Sequence, residues 1–249
     1  MQIRILSGAD VRAAIDMPEA IDAMRDAFAA LAEGRATVPV RLNLETEHGV
    51  TLFMPAHLRD FGPDGEAAGA KVVAVNPGNA DAGLPVIHAV VLGIDPVTGQ
   101  TRALMDGTWL TALRTGAVGG LAADLLSRKD ARVVALFGAG VQARTQLDAV
   151  RCVRDITEVR VVSPSGTSAD RLVAELAAET LETDAPYGPV AACRADDPND
   201  AIDGADIVIA ATSSATPVFD GSRIAPGTHV TGVGSFTLEM REVDTALVT

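Results

Sequence analysis

The sequence predicts an α/β chain in which a doubly wound parallel sheet, over residues 121–249, follows an N-terminal α+β domain over residues 1–120. Two observations carry this reading. After about residue 120, short apolar strands alternate with amphipathic helices, the pattern of strand-helix-strand units in a parallel sheet. Before it, β-rich runs are separated by turn residues and only one long amphipathic helix, the pattern of an antiparallel sheet with a helix on it.

The elements follow in order. Asp16-Met17-Pro18-Glu19 opens the first helix, because Asp16 can accept from free backbone N–H groups and Glu19 answers three positions later. Ile21, Met24, Phe28 and Leu31 fall on one face, and Gly34 ends the helix. Strands are expected at 38–44, 50–54, 70–75, 87–94 and 100–105, the last two joined by the turn Asp95-Pro96-Val97-Thr98-Gly99. A helix over 108–126 comes next. Strands at 132–137, 158–162 and 206–210 then alternate with helices at 141–153 and 168–182. No internal repeat or low-complexity linker is present. Residues 241–249 carry no evident capping helix, where such a sheet ordinarily adds strands, so a C-terminal truncation is expected.

Composition excludes several functions. A formal charge of −13 disfavours nucleic-acid or anionic-membrane surfaces, which a chain without a basic patch would repel. No apolar run is long enough to cross a bilayer, and residues 1–7 lack a signal-peptide core, so a cytoplasmic protein is expected. Cys152 and Cys193 stand alone, and His48, His57, His88 and His229 are scattered without ligand spacing, which argues against a disulfide framework or a metal site.

The most informative motif is Gly138-Ala139-Gly140-Val141-Gln142-Ala143, directly after a predicted strand and opening a predicted helix. A bare Gly-x-Gly-x-x-Ala is weak evidence, but here a second strand follows about twenty residues on. Gly138 allows the tight turn, Gly140 lets backbone approach a pyrophosphate, and Ala143 permits close helix-sheet packing; the helix N-terminus faces the phosphate charge. This is a Rossmann dinucleotide site. At the end of the second strand, where an acid would hold the ribose 2′-hydroxyl of NAD, the sequence instead has Ser163-Pro164-Ser165. Those hydroxyls tilt the site weakly toward NADP(H), with no Arg adjacent in sequence. Two further strand-end loops, at Thr212-Ser213 and Val233-Gly234-Ser235, would line the same crevice.

The basic residues are 18 Arg and two Lys, so the identity of Lys71 inside the apolar run 69–75 carries information. A compact ammonium with an adjustable pKa suits a proton donor or carboxylate ligand; the plain alternative is an edge-strand lysine facing solvent. Lys129, in a charged run, reads as surface. Arg114, in an otherwise small and apolar helix, could grip a carboxylate bidentately, and Arg41 is a weaker candidate.

Pro39-x-Arg41, Leu52-x-Met54-Pro55-Ala56, Gly69-x-Lys71 with Pro77-Gly78-Asn79, Ala112-Leu113-Arg114-Thr115, the Gly138–Ala143 turn and Gly227-Thr228-His229 occur in the order of the ornithine cyclodeaminase/mu-crystallin family, which the chain resembles over nearly its whole length. The resemblance implies a homodimer built through the N-terminal domain and a nicotinamide cofactor reached by Arg114 and Thr115 as well as the Gly-rich turn. It also implies a substrate carboxylate held by Arg41, Lys71 and Arg114. Cyclodeaminases of the family carry an acid where this chain has Leu52 and an aspartate where it has Phe236. Residues 234–240 are instead similar to members that reduce Δ1-pyrroline-2-carboxylate or Δ1-piperideine-2-carboxylate, although Leu238 stands where those usually have Pro. The expected function is reduction of a small cyclic imino acid. Ornithine cyclodeaminase, alanine dehydrogenase-like activity and a non-catalytic NADPH-binding protein remain as alternatives.

Overall fold

The computed structural model describes residues 2–62, 65–181 and 186–249, which divide into two compact units, Met1–Arg114 and Thr115–Thr249.

The first unit is built on a seven-stranded sheet. Strand β1 (Arg4–Leu6) and helix α1 (Gly8–Ala14) precede α2 (Met17–Ala32), β2 (Ala36–Thr37), β3 (Leu42–Thr46), β4 (Gly49–Arg59), β5 (Glu66–Val75), β6 (Ile87–Ile94) and β7 (Thr101–Asp106). The sheet order is β1-β7-β6-β5-β4-β2, with β3 also pairing β4. All pairs are antiparallel except β1 with β7, an edge strand too short to read from the sequence.

Asp16 caps α2 as expected. Its Oδ1 accepts from Glu19 N at 2.9 Å while Glu19 Oε2 accepts from Asp16 N at 3.0 Å, a reciprocal box worth about 1 kcal/mol. The buried stripe differs from the predicted one: Met17, Ala20, Ile21 and Ala30 are covered, while Phe28 and Leu31 are each 49% exposed. The covered sector thus keeps Met17 and Ile21 with two alanines and leaves Phe28 and Leu31 outside. The strand expected at 38–44 begins only at Leu42. Conversely β4 continues past Pro55, because β3 pairs β4 only as far as Phe53 and β2 starts at His57. The missing proline N–H therefore falls in a gap between two neighbours.

Helix α3 (Gly107–Leu126) contains the boundary between the units. The second unit continues with β8 (Val133–Phe137), α4 (Val141–Val153), β9 (Glu158–Val162), α5 (Gly166–Glu179), β10 (Ala191–Arg194), α6 (Pro198–Ile202), β11 (Ile207–Ala210), β12 (His229–Gly232) and α7 (Thr245–Val248). Its five strands are all parallel, in the order β10-β9-β8-β11-β12. Strand β10 and helices α6 and α7 were not anticipated. The short α7, capped by Asp244, occupies the segment expected to lack a helix. Glu182, the expected end of α5, lies outside the described residues.

Double winding is visible within single strands. Val134 and Leu136 of β8 and Ile207 and Ile209 of β11 join one apolar cluster with Leu147 of α4 and Leu172 of α5. The alternate residues, Ala135, Phe137, Val208 and Ala210, join a second cluster with Ile202 and Phe219. A strand buried on both faces has no polar side to show, so it reads as a continuous apolar run.

Candidate dinucleotide and carboxylate sites

In the second unit, β8 ends at the Gly-rich turn. Gly138 has φ +105°, and a Cβ there would lie 2.4 Å from Ala211 O, so no other residue fits. Its N–H donates to Val162 O at 2.8 Å, which ties the turn to β9. Gly140 is different. Its φ is −90°, and no protein atom lies within 4 Å of a Cβ built on it. Nothing in the chain demands glycine there; an approaching ligand would.

Gly140 is also the N-cap of α4 and supplies no side-chain hydrogen bond. By contrast, Ser7, Asp16, Ser165, Asp197 and Asp244 accept from the first turns of α1, α2, α5, α6 and α7. The first-turn N–H groups of α4, from Val141 on, are thus left for an anion. Beside them Gln142 Oε1 is buried and has no hydrogen-bond partner among the described residues. Ala143 is fully buried against the turn. Open backbone at Gly140 and an uncapped helix N-terminus fit a dinucleotide pyrophosphate.

A cleft of about 760 Å³ opens at the carboxyl ends of the strands, within the range of small-molecule sites. Gly138, Ser163, Thr212 and Ser213 line it, whereas Ala139, Gly140, Val141, Gln142, Val233, Gly234 and Ser235 do not form its walls. Ser165 turns away to cap α5. Ser163 Oγ shares a hydrogen bond with Ser168 Oγ at 3.0 Å.

Two residues of this site were missed in the sequence. Arg194, at the end of β10, lines the cleft beside Ser163, its Nη1 only 2.9 Å from where a Cβ on Gly166 would sit. It donates to Asp196 and Asp170, which raise its pKa. The cation sought next to Ser163 in sequence is therefore supplied by the neighbouring strand; only a correct placement of β10 could have revealed it. Glu242 is 3% exposed and accepts from backbone N–H groups of the loops after β11 and β12. Its signal was an acid in a segment that lacked a predicted element.

In the first unit, Lys71 sits on β5, between β4 and β6, opposite Met54 and Val91. It is not an edge-strand lysine. Burial lowers its pKa to about 8, with further lowering from Arg114 and then Arg41, so these three predicted residues lie within electrostatic reach of one another. Arg114 too is depressed by partial burial. Like charges crowded around a half-buried ammonium are unfavourable alone and become favourable when a carboxylate enters. By strand alternation Leu52 shares the Lys71 face, since Leu52 pairs Val73 and Met54 pairs Lys71. Asn79 shapes the loop before β6, donating from Nδ2 to Pro85 O at 2.9 Å. Among the described residues no group of three His, Cys, Asp or Glu is arranged to hold a metal ion, and no helix is long and apolar enough to cross a membrane.

A parallel sheet with this Gly-rich turn in the second unit, accompanied by a first unit in which Lys71, Arg114 and Arg41 are grouped, defines a two-unit nicotinamide-dinucleotide-binding protein. The chain belongs to the ornithine cyclodeaminase/mu-crystallin family, whose profile matches residues 1–249. It is 34% identical over 248 residues to an alanine dehydrogenase of Archaeoglobus fulgidus, covering 100% of this chain and 72% of that protein. The structure of Thermococcus litoralis Δ1-pyrroline-2-carboxylate reductase in complex with NADH and L-proline aligns with a TM-score of 0.89 and 38% identity, over 99% of this chain and 73% of that one. An archaeal alanine dehydrogenase dimer with bound NAD aligns with a TM-score of 0.88 and 35% identity, over 98% and 71%.

Proposed function

We propose that the protein is a ketimine reductase that converts Δ1-pyrroline-2-carboxylate or Δ1-piperideine-2-carboxylate to proline or pipecolate. The chain is a nicotinamide-dependent oxidoreductase acting on C=N and CH–NH groups. The observation that carries the substrate assignment is the electrostatic grouping of Lys71 on β5 with Arg41 before β3 and Arg114 on α3, beside a sheet face where Leu52 supplies no acid. A substrate with one carboxylate and no second amine suits that face.

Bound NAD(P)H supplies the hydride to the imine carbon. Arg114 and Arg41 anchor the substrate carboxylate, and Lys71 fixes it and assists protonation of the imine nitrogen. Thr115 joins the Gly138–Gln142 turn, Ser163, Ser165, Thr212, Ser213 and the Val233–Ser235 loop in holding the cofactor. NADP(H) is preferred weakly over NAD(H): Ser163 and Arg194 suit a 2′-phosphate, which must compete with Asp170 and Asp196 for the guanidinium.

The protein acts as a homodimer through the first unit. Ile5 is 76% exposed and Leu42 67%, and strand pairing puts both on the sheet face opposite Lys71, with exposed Leu44, Phe53 and Val90. A contiguous apolar face of this kind is an interaction surface.

The test is oxidation of NADPH and NADH, side by side, with each cyclic imine, in the wild type and in Lys71→Ala. Imine-dependent oxidation lost in Lys71→Ala supports the assignment. Ammonia release from ornithine without imine reduction would transfer it to cyclodeaminase, and cofactor binding without turnover would leave a binding protein.

A further inference from the structure

Strands β11 and β12 run parallel, and their last paired residues are Ala210 and Gly232. After one more backbone bond, from Val233 N to Ala210 O at 2.8 Å, a single side chain bridges the two loops. Oε1 of Glu242 accepts from Thr212 N at 2.5 Å and from Thr212 Oγ1 at 2.8 Å; Oε2 accepts from Gly234 N at 2.5 Å and from Ser235 N at 3.3 Å. One carboxylate oxygen thus serves each strand end. The loops are also too close for any side chain at Gly234, where a Cβ would lie 1.8 Å from Thr212 O.

A carboxylate this deeply buried is costly to desolvate unless every oxygen is satisfied, and an ordinary loop connection does not require one. What it adds is fixed geometry, because charge-assisted bonds from backbone N–H groups are short and directional. The position gives that geometry a use. In an open parallel sheet a dinucleotide lies across the carboxyl ends, one half on each side of the central strand. Ser163 and Arg194 belong to the β9-β10 side of β8, so the β11-β12 side is left for the nicotinamide half.

We propose that Glu242 is a positioning residue that locks the loops after β11 and β12 in the spacing that receives the nicotinamide half of the cofactor. This rests on the dinucleotide-binding reading of the second unit. The test measures dissociation constants for NADH, NADPH and ADP-ribose, which lacks the nicotinamide ring, together with the melting temperature, in the wild type and in Glu242→Gln. The amide is isosteric, but it must turn an NH2 toward a backbone N–H at one strand end, so the loops part there. Expected is a loss of about tenfold or more in NADH and NADPH affinity, with ADP-ribose affinity held within about twofold. Equal losses for all three ligands, as general loosening of the fold would give, or no loss for any, overturn the proposal. Should Glu242→Gln fail to fold, Glu242→Asp keeps the charge but is one methylene too short to serve both strand ends, and the same split is expected; its absence is equally decisive. A wild type that binds none of the three would instead refute the dinucleotide reading itself.

Discussion

If Lys71 holds the substrate carboxylate as proposed, its depressed pKa makes binding pH-dependent in a set direction. With a pKa of about 8, the ammonium is about nine-tenths protonated at pH 7 and about one-tenth protonated at pH 9. If charged Lys71 holds the substrate carboxylate, affinity for a planar carboxylate weakens about tenfold across that interval. Pyrrole-2-carboxylate is a suitable probe, because its ring nitrogen does not titrate there and the measurement is free of imine protonation. The inhibition constant is followed from pH 6.5 to 9.5 against cyclic-imine reduction. Removing a neighbouring cation, as in Arg41→Ala, should move the descending limb to higher pH, while burial, the larger cause, keeps it below the ordinary lysine value of 10.5. Stability should move the opposite way. Burial of the charged ammonium is destabilising at every pH below about 8. Between about 8 and 10.5 the folded chain has released a proton that the unfolded chain keeps, so stability rises with pH and the penalty has vanished above that window. Lys71→Met should abolish both trends. An inhibition constant that is flat from pH 7 to 9, or a limb that survives in Lys71→Met, refutes the reasoning.

Other substitutions separate fold from site. Gly140→Ser places a good N-cap on α4 where a Cβ meets no protein atom, so the melting temperature should hold or rise; the hydroxyl occupies the N–H groups meant for phosphate, and titration should show about tenfold or more loss of dinucleotide affinity. Gly116→Ala in α3 gains about 1 kcal/mol of helix propensity, but its Cβ would lie 2.5 Å from Thr145 O, so denaturant unfolding should report a net loss of about 1–3 kcal/mol. Arg154 has a side chain only 2% exposed and donates to Ala123 O, Asp124 O and Ser127 O at the end of α3. Arg154→Met removes those buried bonds and breaks the ion pair with Asp124, and should cost about 3–5 kcal/mol in the same assay.

The parts of this protein that the sequence made legible are those whose physics is local. The Asp16 box needs only residues three apart, and the Gly138 turn needs only a strand before it and a helix after it. Even Lys71 stood out locally, as a charge in an apolar run. What could not be read depends on which strands become neighbours. Arg194 is about thirty residues from Ser163 in sequence and meets the same cleft only because β10 pairs β9 in register, Arg194 beside Val161. Glu242 likewise acquires its role only once Thr212 and Gly234 are brought together by the β11-β12 pair. The misread stripe on α2 has the same origin, since helical spacing can group Ile21 with Phe28 and Leu31 but cannot say which sector of the helix a sheet will cover. Sequence periodicity thus finds groups able to do chemistry, whereas the partners that tune them come from strand order. Arg194 shows the consequence: a cation absent from the serine loop in sequence is brought to the same cleft by the adjacent strand, already paired with Asp196 and Asp170.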